Sequence, residues 1–220
     1  MIASKAKVFL VDDHPLVREW LTNLINQLPD LVVCGEAATG AEALLGMETS
    51  NPDIAIVDLS LKEGSGLETI KAVKARFPQT AVIVLSMHDE QYYAERTMRA
   101  GARGYVMKGE VTSDIFAAIR EVLAGRIYLS RRMRELFAER FVDGHVPDSR
   151  SPVETLSDRE LQVFQLLGQG IETRRVAQKL NVSIKTVQAY CARIKDKLQL
   201  SNASELLREA VRWSDSQAPG

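Results

Sequence analysis

Cysteine is nearly absent from this chain of 220 residues: Cys34 and Cys191 stand far apart and form no C-x-x-C pair, so they read as two reduced core or near-core thiols and not as a disulfide framework. Histidine is equally sparse. His14, His88 and His145 lack zinc-ligand spacing, and no transition-metal site is expected. No apolar run approaches membrane-spanning length and the N-terminal stretch has no signal-peptide core, which excludes a spanning segment and points to a cytoplasmic protein. There is no Gly-rich nucleotide motif, which argues against a kinase that binds ATP itself, and no internal repeat or low-complexity tract.

What is present divides into two halves. A length of 220 residues suggests two domains. Residues 1–125 carry 12 Lys and Arg against 17 Asp and Glu, whereas residues 126–214 carry 16 against 11, so a net charge of −1 conceals an acidic front and a basic back. A basic half suits a polyanion partner.

The front half alternates β-branched runs near 6–11, 31–35, 53–57, 81–85 and 103–106 with amphipathic stretches near 15–28, 40–48, 66–76, 90–100 and 112–124. That repetition predicts an α/β flavodoxin-like, doubly wound parallel sheet of five strands, with Pro29, Pro52 and Pro78 between elements. In such a sheet, side chains just past the strand ends converge on one crevice. Asp12, Asp13, Asp58, Ser86 and Lys108 all occupy such positions, with Ser86 expected two strands from Asp58. Two carboxylates about 4 Å apart repel by roughly 4 kcal/mol at an effective dielectric of about 20, so a hard oxygen-seeking cation, Mg²⁺ or Mn²⁺, is expected among the three acids. Asp58 then becomes a carboxylate nucleophile for a phosphoryl group, and the Ser86 hydroxyl and Lys108 ammonium receive its oxygens. A lone Asp before a helix is more often an N-cap, as Asp12 or Asp13 would be for a helix beginning at Pro15, but Asp58 and Lys108 reverse that preference.

After an Arg-rich helical stretch at 131–141, read as a solvated spacer, the segment Asp143 to Pro152 breaks all periodicity and reads as a linker. The organisation expected is a front domain at 1–126, a linker at 127–153 and a separate all-α, four-helix domain at 154–214. Ser157 and Glu160 form a capping box with Leu156 and Leu161 at the staple positions. Helices near 172–180 and 184–198 joined by Asn181-Val182-Ser183 read as a helix-turn-helix. Helical spacing turns Val187, Tyr190, Ile194 and Leu198 inward and leaves Lys185, Gln188, Ala189, Ala192 and Lys195 outward. On a duplex, Gln188 could pair with adenine and an alanine methyl could touch thymine, while Lys185, Arg193, Lys195, Lys197 and Arg174 or Arg175 meet phosphates.

The ordered motifs Val-Asp-Asp-His-Pro (11–15), Val-Asp-Leu-Ser-Leu (57–61) followed by Gly66, Leu-Ser-Met (85–87) and Gly-Tyr-Val-Met-Lys (104–108) resemble the receiver domain of two-component response regulators. Leu-Ser-Asp-Arg-Glu (156–160), Gln169-Gly170, Val176 to Leu180 and Val182 to Val187 resemble the LuxR-type helix-turn-helix, and the two in tandem resemble the NarL/FixJ response regulators. The resemblance implies phosphorylation of Asp58 by a sensor histidine kinase, magnesium held by Asp12, Asp13, Asp58 and the backbone carbonyl of Ser60, and control of double-stranded DNA binding and transcription. It also implies that Ser86 and Tyr105 move as a switch, that Ser60 and His88 tune phosphoryl lifetime, and that the fourth helix of the back half pairs two copies as a homodimer. Lys62 and Gly109 replace prolines that many receivers have, so a cis peptide after Lys108 is not expected. Family members often carry Lys and His at Gln188 and Tyr190, and Asn-Lys at Thr173-Arg174, so an unusual base sequence is expected. A phosphatase that also uses an Asp nucleophile would need a second Asp where Ser60 stands, which argues against turnover.

Overall fold

The computed structural model describes residues 5–61, 63–142 and 152–216. The chain divides into two compact units, Met1–Glu135 and Leu136–Gly220. In the first, β1 (Ala6–Val11), β2 (Leu31–Ala37), β3 (Ile54–Val57), β4 (Ala81–Ser86) and β5 (Gly104–Met107) alternate with α1 (Pro15–Asn26), α2 (Gly40–Ser50), α3 (Gly66–Arg76), α4 (Glu90–Ala100) and α5 (Val111–Leu123). The strands pair in parallel in the order β2-β1-β3-β4-β5. Ser86 therefore lies one strand from Asp58, not two, because β4 pairs directly with β3. The chain leaves β1 toward one edge and returns on its other side, so the C-terminal ends of β1 and β3 flank the point where the winding reverses. That is where a crevice opens in this class of sheet.

The strands are apolar on both faces because helices cover both. On one face Leu21 and Ile25 of α1 and Ile115 and Ile119 of α5 pack on strand residues such as Val8, Leu10 and Ile83. On the other the Phe9 ring lies so close to Gly35 and Gly46 that a Cβ at either would come within 2.5 and 2.8 Å of it, respectively. Among the described residues no peptide is cis, and no helix is long and apolar enough to cross a membrane. Lys62 lies outside the described residues.

One pairing was not expected. Gly125 takes φ +79°, a conformation that favours glycine, and Tyr128 then forms a parallel bridge with Gly104 on the outer edge of β5. Helix α6 (Arg131–Val142) follows. Apart from Pro152, the expected linker segment 143–152 lies outside the described residues, and Pro152 begins a 3₁₀ turn, Pro152–Thr155, that buries Val153.

The second unit contains α7 (Asp158–Gly168), α8 (Thr173–Lys179), α9 (Ile184–Leu198) and α10 (Ala203–Ser216). Both arms of the capping box at Ser157 and Glu160 are present, and Leu156 and Leu161 are buried beside it. The turn between α8 and α9 closes through Asn181 at φ +51°, a left-handed conformation that asparagine tolerates better than most residues, and Ser183 caps α9 by accepting from the Thr186 amide at 3.1 Å. Glu160 is only 3% exposed and accepts from Lys197 Nζ at 2.6 Å and from the Ser157 amide at 2.7 Å.

Two stability predictions follow from these contacts. A Cβ on Gly66 would sit 2.1 Å from the Asp58 carbonyl oxygen and 2.5 Å from Leu59 Cα, and that backbone has no room to yield. Gly66→Ala is expected to cost about 1–3 kcal/mol, read by calorimetry of the full chain. Burial pushes the Glu160 carboxyl up, but Lys197 and the Ser157 donors outweigh it and hold the group below its usual range. A depressed carboxylate contributes stability above its unfolded value of about 4.3, and that stability is lost as pH falls through the lower folded value. Lys197→Met should therefore cost about 1 kcal/mol at neutral pH, since Lys197 is part exposed, and flatten the acid limb of the stability curve. The check is urea unfolding followed by Trp213 fluorescence in a Trp20→Phe background.

Candidate functional site

The acids gather because β1 and β3 are neighbours in register. Asp58 follows β3 and its amide donates to Val11 O at 2.8 Å, while the Asp12 amide donates to Ala37 O at 3.1 Å, so each carboxylate leaves a backbone that the sheet edge has already fixed. Ligand atoms of Asp12, Asp13, His14 and Asp58 all lie within 4.8 Å of one another. Asp12 is 3% exposed, Asp13 7% and Asp58 2%, so solvent screens none of them well. Asp12 is no helix cap: α1 has His14 at that position, and Asp12 Oδ1 instead accepts from the His14 amide at 2.8 Å.

Lys108 follows β5 and reaches back across the sheet end, with Nζ 2.7 Å from Asp12 Oδ2 and 2.7 Å from Asp58 Oδ2. Burial would pull the Lys108 ammonium down, but Asp58 and Asp12 hold it above its ordinary value. The Asp58 carboxyl is pushed up by burial and by Asp12, and Lys108 and the Ser60 amide, which donates to Asp58 Oδ1 at 3.1 Å, only partly offset that. Three buried carboxylates facing one ammonium leave an excess of negative charge on hard oxygen donors. Such a donor set fits a divalent cation of the magnesium class.

Ser86 is fully buried at the end of β4, and its Oγ accepts from the His88 amide at 3.1 Å. Tyr105 points inward at 1% exposure and donates its hydroxyl to His88 O at 2.8 Å. Burial raises the Tyr105 phenol well above its ordinary value, against a hydrogen bond from the Ser86 side. His88 Nε2 lies 2.8 Å from Ser60 Oγ, and its ring stacks on Tyr93 with centroids 4.9 Å apart. Burial, helped by the charge of Lys108, pulls the His88 imidazole down to about 4, so it is neutral at neutral pH. Asp12, Asp13, Asp58, Lys108 and Ser60 thus meet in one cluster, and Ser86 and Tyr105 connect with it through the backbone of His88, whose ring faces Ser60. Reading the histidines by zinc spacing missed His14, whose Nδ1 is 2.8 Å from Asp13 Oδ1. Its place directly after the paired acids was the available signal.

In the second unit Val187 and Ile194 of α9 are fully buried and Tyr190 and Leu198 are half-buried, as the spacing predicts. Lys185, Gln188, Ala189, Ala192, Arg193, Arg174 and Arg175 are exposed, and Lys195 is half-buried. Gln188, Ala192 and Lys195 form the α9 wall of a cavity of about 500 Å³ whose opposite wall includes Leu206 and Leu207 of α10. The Arg193 guanidinium lies 5.8 Å from the Tyr190 ring centroid. Lys197 is engaged within the domain by Glu160 and by Thr155 O at 3.1 Å, so it is not a free cation on this face. Asp196, four residues after Ala192, lies exposed on the outer stripe and was overlooked by a reading that sought bases.

Comparison with known proteins gives a family match in each unit. The response regulator receiver domain family matches residues 8–120, and the luxR family of bacterial regulatory proteins matches residues 154–210. The chain is 34% identical over 210 residues to the oxygen regulatory protein NreC of Staphylococcus carnosus (strain TM300), covering 94% of this chain and 97% of that protein. Its structure is similar to RcsB from Salmonella enterica serovar Typhimurium bound to promoter P1flhDC in the presence of phosphomimetic BeF3⁻, with a TM-score of 0.68 and 25% identity over 94% of this chain and 98% of that one. A LuxR-family two-component response regulator from Aurantimonas sp. SI85-9A1 matches with a TM-score of 0.58 and 34% identity over 63% of this chain and 99% of that chain. This chain therefore belongs to the NarL/FixJ response regulators, transcription regulators in which a receiver domain precedes a LuxR-type DNA-binding domain.

Proposed function

We propose that Asp58 is the phosphoacceptor of this receiver, that Mg²⁺ or Mn²⁺ held by Asp12, Asp13, Asp58 and the Ser60 carbonyl is required for its modification, and that the modification controls DNA binding by the second domain. The observation that carries the reading is the meeting of three buried carboxylates and Lys108 at the ends of β1, β3 and β5. A bound divalent cation would supply positive charge beside the incoming phosphoryl oxygens. The chain's own residues do the rest. One Asp58 oxygen attacks phosphorus on the phosphohistidine of a sensor kinase, the oxygen–phosphorus bond forms, the phosphorus–nitrogen bond breaks, and the departing imidazole takes up a proton. Lys108 already lies beside Asp58 Oδ2 and would exchange part of that contact for a phosphoryl oxygen. Ser86 would donate its hydroxyl to another. Because no second Asp stands at Ser60, the protein takes part in its own phosphorylation and dephosphorylation without being a turnover enzyme.

A phosphoryl group brings close to two negative charges and three strong acceptors to a buried pocket. Ser86 is drawn toward it and Tyr105 follows through the His88 backbone. A bias of about 3 kcal/mol would raise a state populated at about one per cent to a majority. The output is sequence-specific binding to double-stranded DNA, with Gln188, Ala189 and Ala192 at base edges and Lys185, Arg193, Lys195, Arg174 and Arg175 at phosphates. Lys197 is left out because Glu160 holds it. Pairing of two copies through α10, whose Leu207 and Val211 are exposed, would match two half-sites; the similar RcsB binds DNA as dimers. The proposed domain limits are 1–126, a linker at 127–153, and 154–214, in a cytoplasmic protein.

Asp58→Asn is expected to abolish labelling by acetyl phosphate or a cognate kinase, read by intact mass, and undiminished labelling would place the acceptor elsewhere. In selections from random duplexes, Gln188→Ala is expected to lose preference at one base position while the decline of affinity with salt keeps its slope. An unchanged preference would remove Gln188 from base readout.

A further inference from the structure

The edge formed by β5 and the start of α4 is already occupied, and the occupant is the chain's own segment 127–133. The Tyr128 amide donates to Arg103 O at 2.9 Å and the Tyr105 amide donates to Tyr128 O at 3.0 Å, so Tyr128 sits where a sixth strand would begin. Two residues later the Ser130 amide donates to Glu90 Oε1 at 3.0 Å, and Arg132 Nη2 donates to Gln91 Oε1 at 2.9 Å. Leu129 and Met133 are 5% and 2% exposed. Glu90 is the first residue of α4 and only 7% exposed, so its carboxylate makes a charge-assisted bond to a backbone amide in poorly screened surroundings.

This edge is tied to the acidic pocket by a short chain of bonds. Ser86 Oγ accepts from the His88 amide, His88 O accepts from the Tyr105 hydroxyl, and the Tyr105 amide holds Tyr128. Tyr105 therefore grips the pocket side of the edge with its side chain and the segment 127–133 with its backbone. On the other side of the same loop, His88 leads within two residues to Glu90, which holds Ser130.

We propose that residues 127–133 are a strap whose attachment to β5 and α4 is set by the state of Asp58: fastened when Asp58 is unmodified and loosened when a phosphoryl group draws Ser86 toward it. The inference rests on the phosphoacceptor reading above. A Ser86 hydroxyl turned toward a phosphoryl oxygen no longer faces the His88 amide, so the loop from His88 to Glu90 shifts and carries the Glu90 carboxylate off the Ser130 amide. The strap is held by an isolated bridge, a few side-chain bonds and the buried Leu129 and Met133, and a local attachment of this kind opens at less than the cost of global unfolding. Each residue released adds up to about 3.5 Å of reach to the connection that leads toward the DNA-binding domain.

Hydrogen exchange on the full-length protein, with Mg²⁺ and with or without beryllofluoride, tests this. Amides of residues 128–133 should exchange at least fivefold faster once ¹⁹F NMR shows the Asp58 adduct. Glu90→Ala should give that faster exchange without fluoride, and Glu90→Gln a smaller increase, both still forming the adduct. Unchanged exchange at 128–133 with the adduct present, or in both Glu90 variants, would overturn the strap. Absence of any adduct would overturn the phosphoacceptor reading and the trigger with it, a result the Glu90 variants cannot mimic.

Discussion

The Lys108 ammonium stands 2.7 Å from a carboxylate oxygen of Asp12 and 2.7 Å from one of Asp58, and the front unit is organised around the charge this single cation cannot cancel. The sheet forces the problem. Parallel pairing of β1 with β3 brings Val11 and Val57 into register, so the acids that follow each strand emerge side by side and buried. In bulk water the repulsion would be screened. Here burial makes each remaining negative charge more expensive, and the donor set is one that only a second cation, or a change in Asp58 itself, can balance. The same excess that favours a hard metal ion makes the pocket sensitive to any group that arrives bearing charge.

That sensitivity matters only because the pocket walls are continuous with the outer edge. Ser86 is buried, but the atoms bonded to its hydroxyl belong to the loop before α4, and that loop is gripped by Tyr105 from β5. His88 adds a cross-link, neutral and stacked on Tyr93 of α4 while its Nε2 faces Ser60 after β3. Three strand ends and one helix start are thereby connected through a handful of hydrogen bonds. A shift at Ser86 would reach β5 and α4 through these bonds, because close-packed interiors repack in discrete steps and do not deform smoothly.

Much of this was legible in the residues. The strand ends were readable because β-branched runs such as Ile54 to Val57 and Ala81 to Leu85 stop at a polar residue, and convergence then follows from parallel topology alone. Strand order was less so. No local pattern marks β4 as the neighbour of β3; that follows from the flavodoxin-like order alone, with which an expectation of Ser86 two strands from Asp58 does not agree. The pairing of Tyr128 with β5 is not legible as a pattern because a one-residue bridge has no period to detect, though the Ile-Tyr-Leu triplet one residue beyond Gly125, which turns with positive φ, is a usable sign. In the back half, spacing located the outer face of α9 but could not show that Lys197 turns to Glu160. Charge patterns reveal where a cation sits along a helix and not which buried acid lies across from it.

The two halves of the molecule place opposite demands on their charges, and this explains why the energies involved must be modest. A switch held by large energies in the receiver could not be reversed by loss of one phosphoryl group, and a DNA reader held by many phosphate contacts would bind whatever the receiver did. The exposed face of α9 is sparing in this respect: two alanines and Gln188 at its centre, Lys185 at its start, and the acid Asp196 on the same stripe toward its end. With Lys197 turned inward, α9 has Lys185, Arg193 and Lys195 for phosphates, and each cation withheld lessens binding that ignores sequence. If two copies bind a site together, as proposed above, small changes in how freely each reader is tethered would have large effects on that pairing. On the reading proposed above, the bridge at Tyr128, the Glu90 carboxylate and the buried Leu129 and Met133 together set the cost that a phosphoryl group at Asp58 would have to offset.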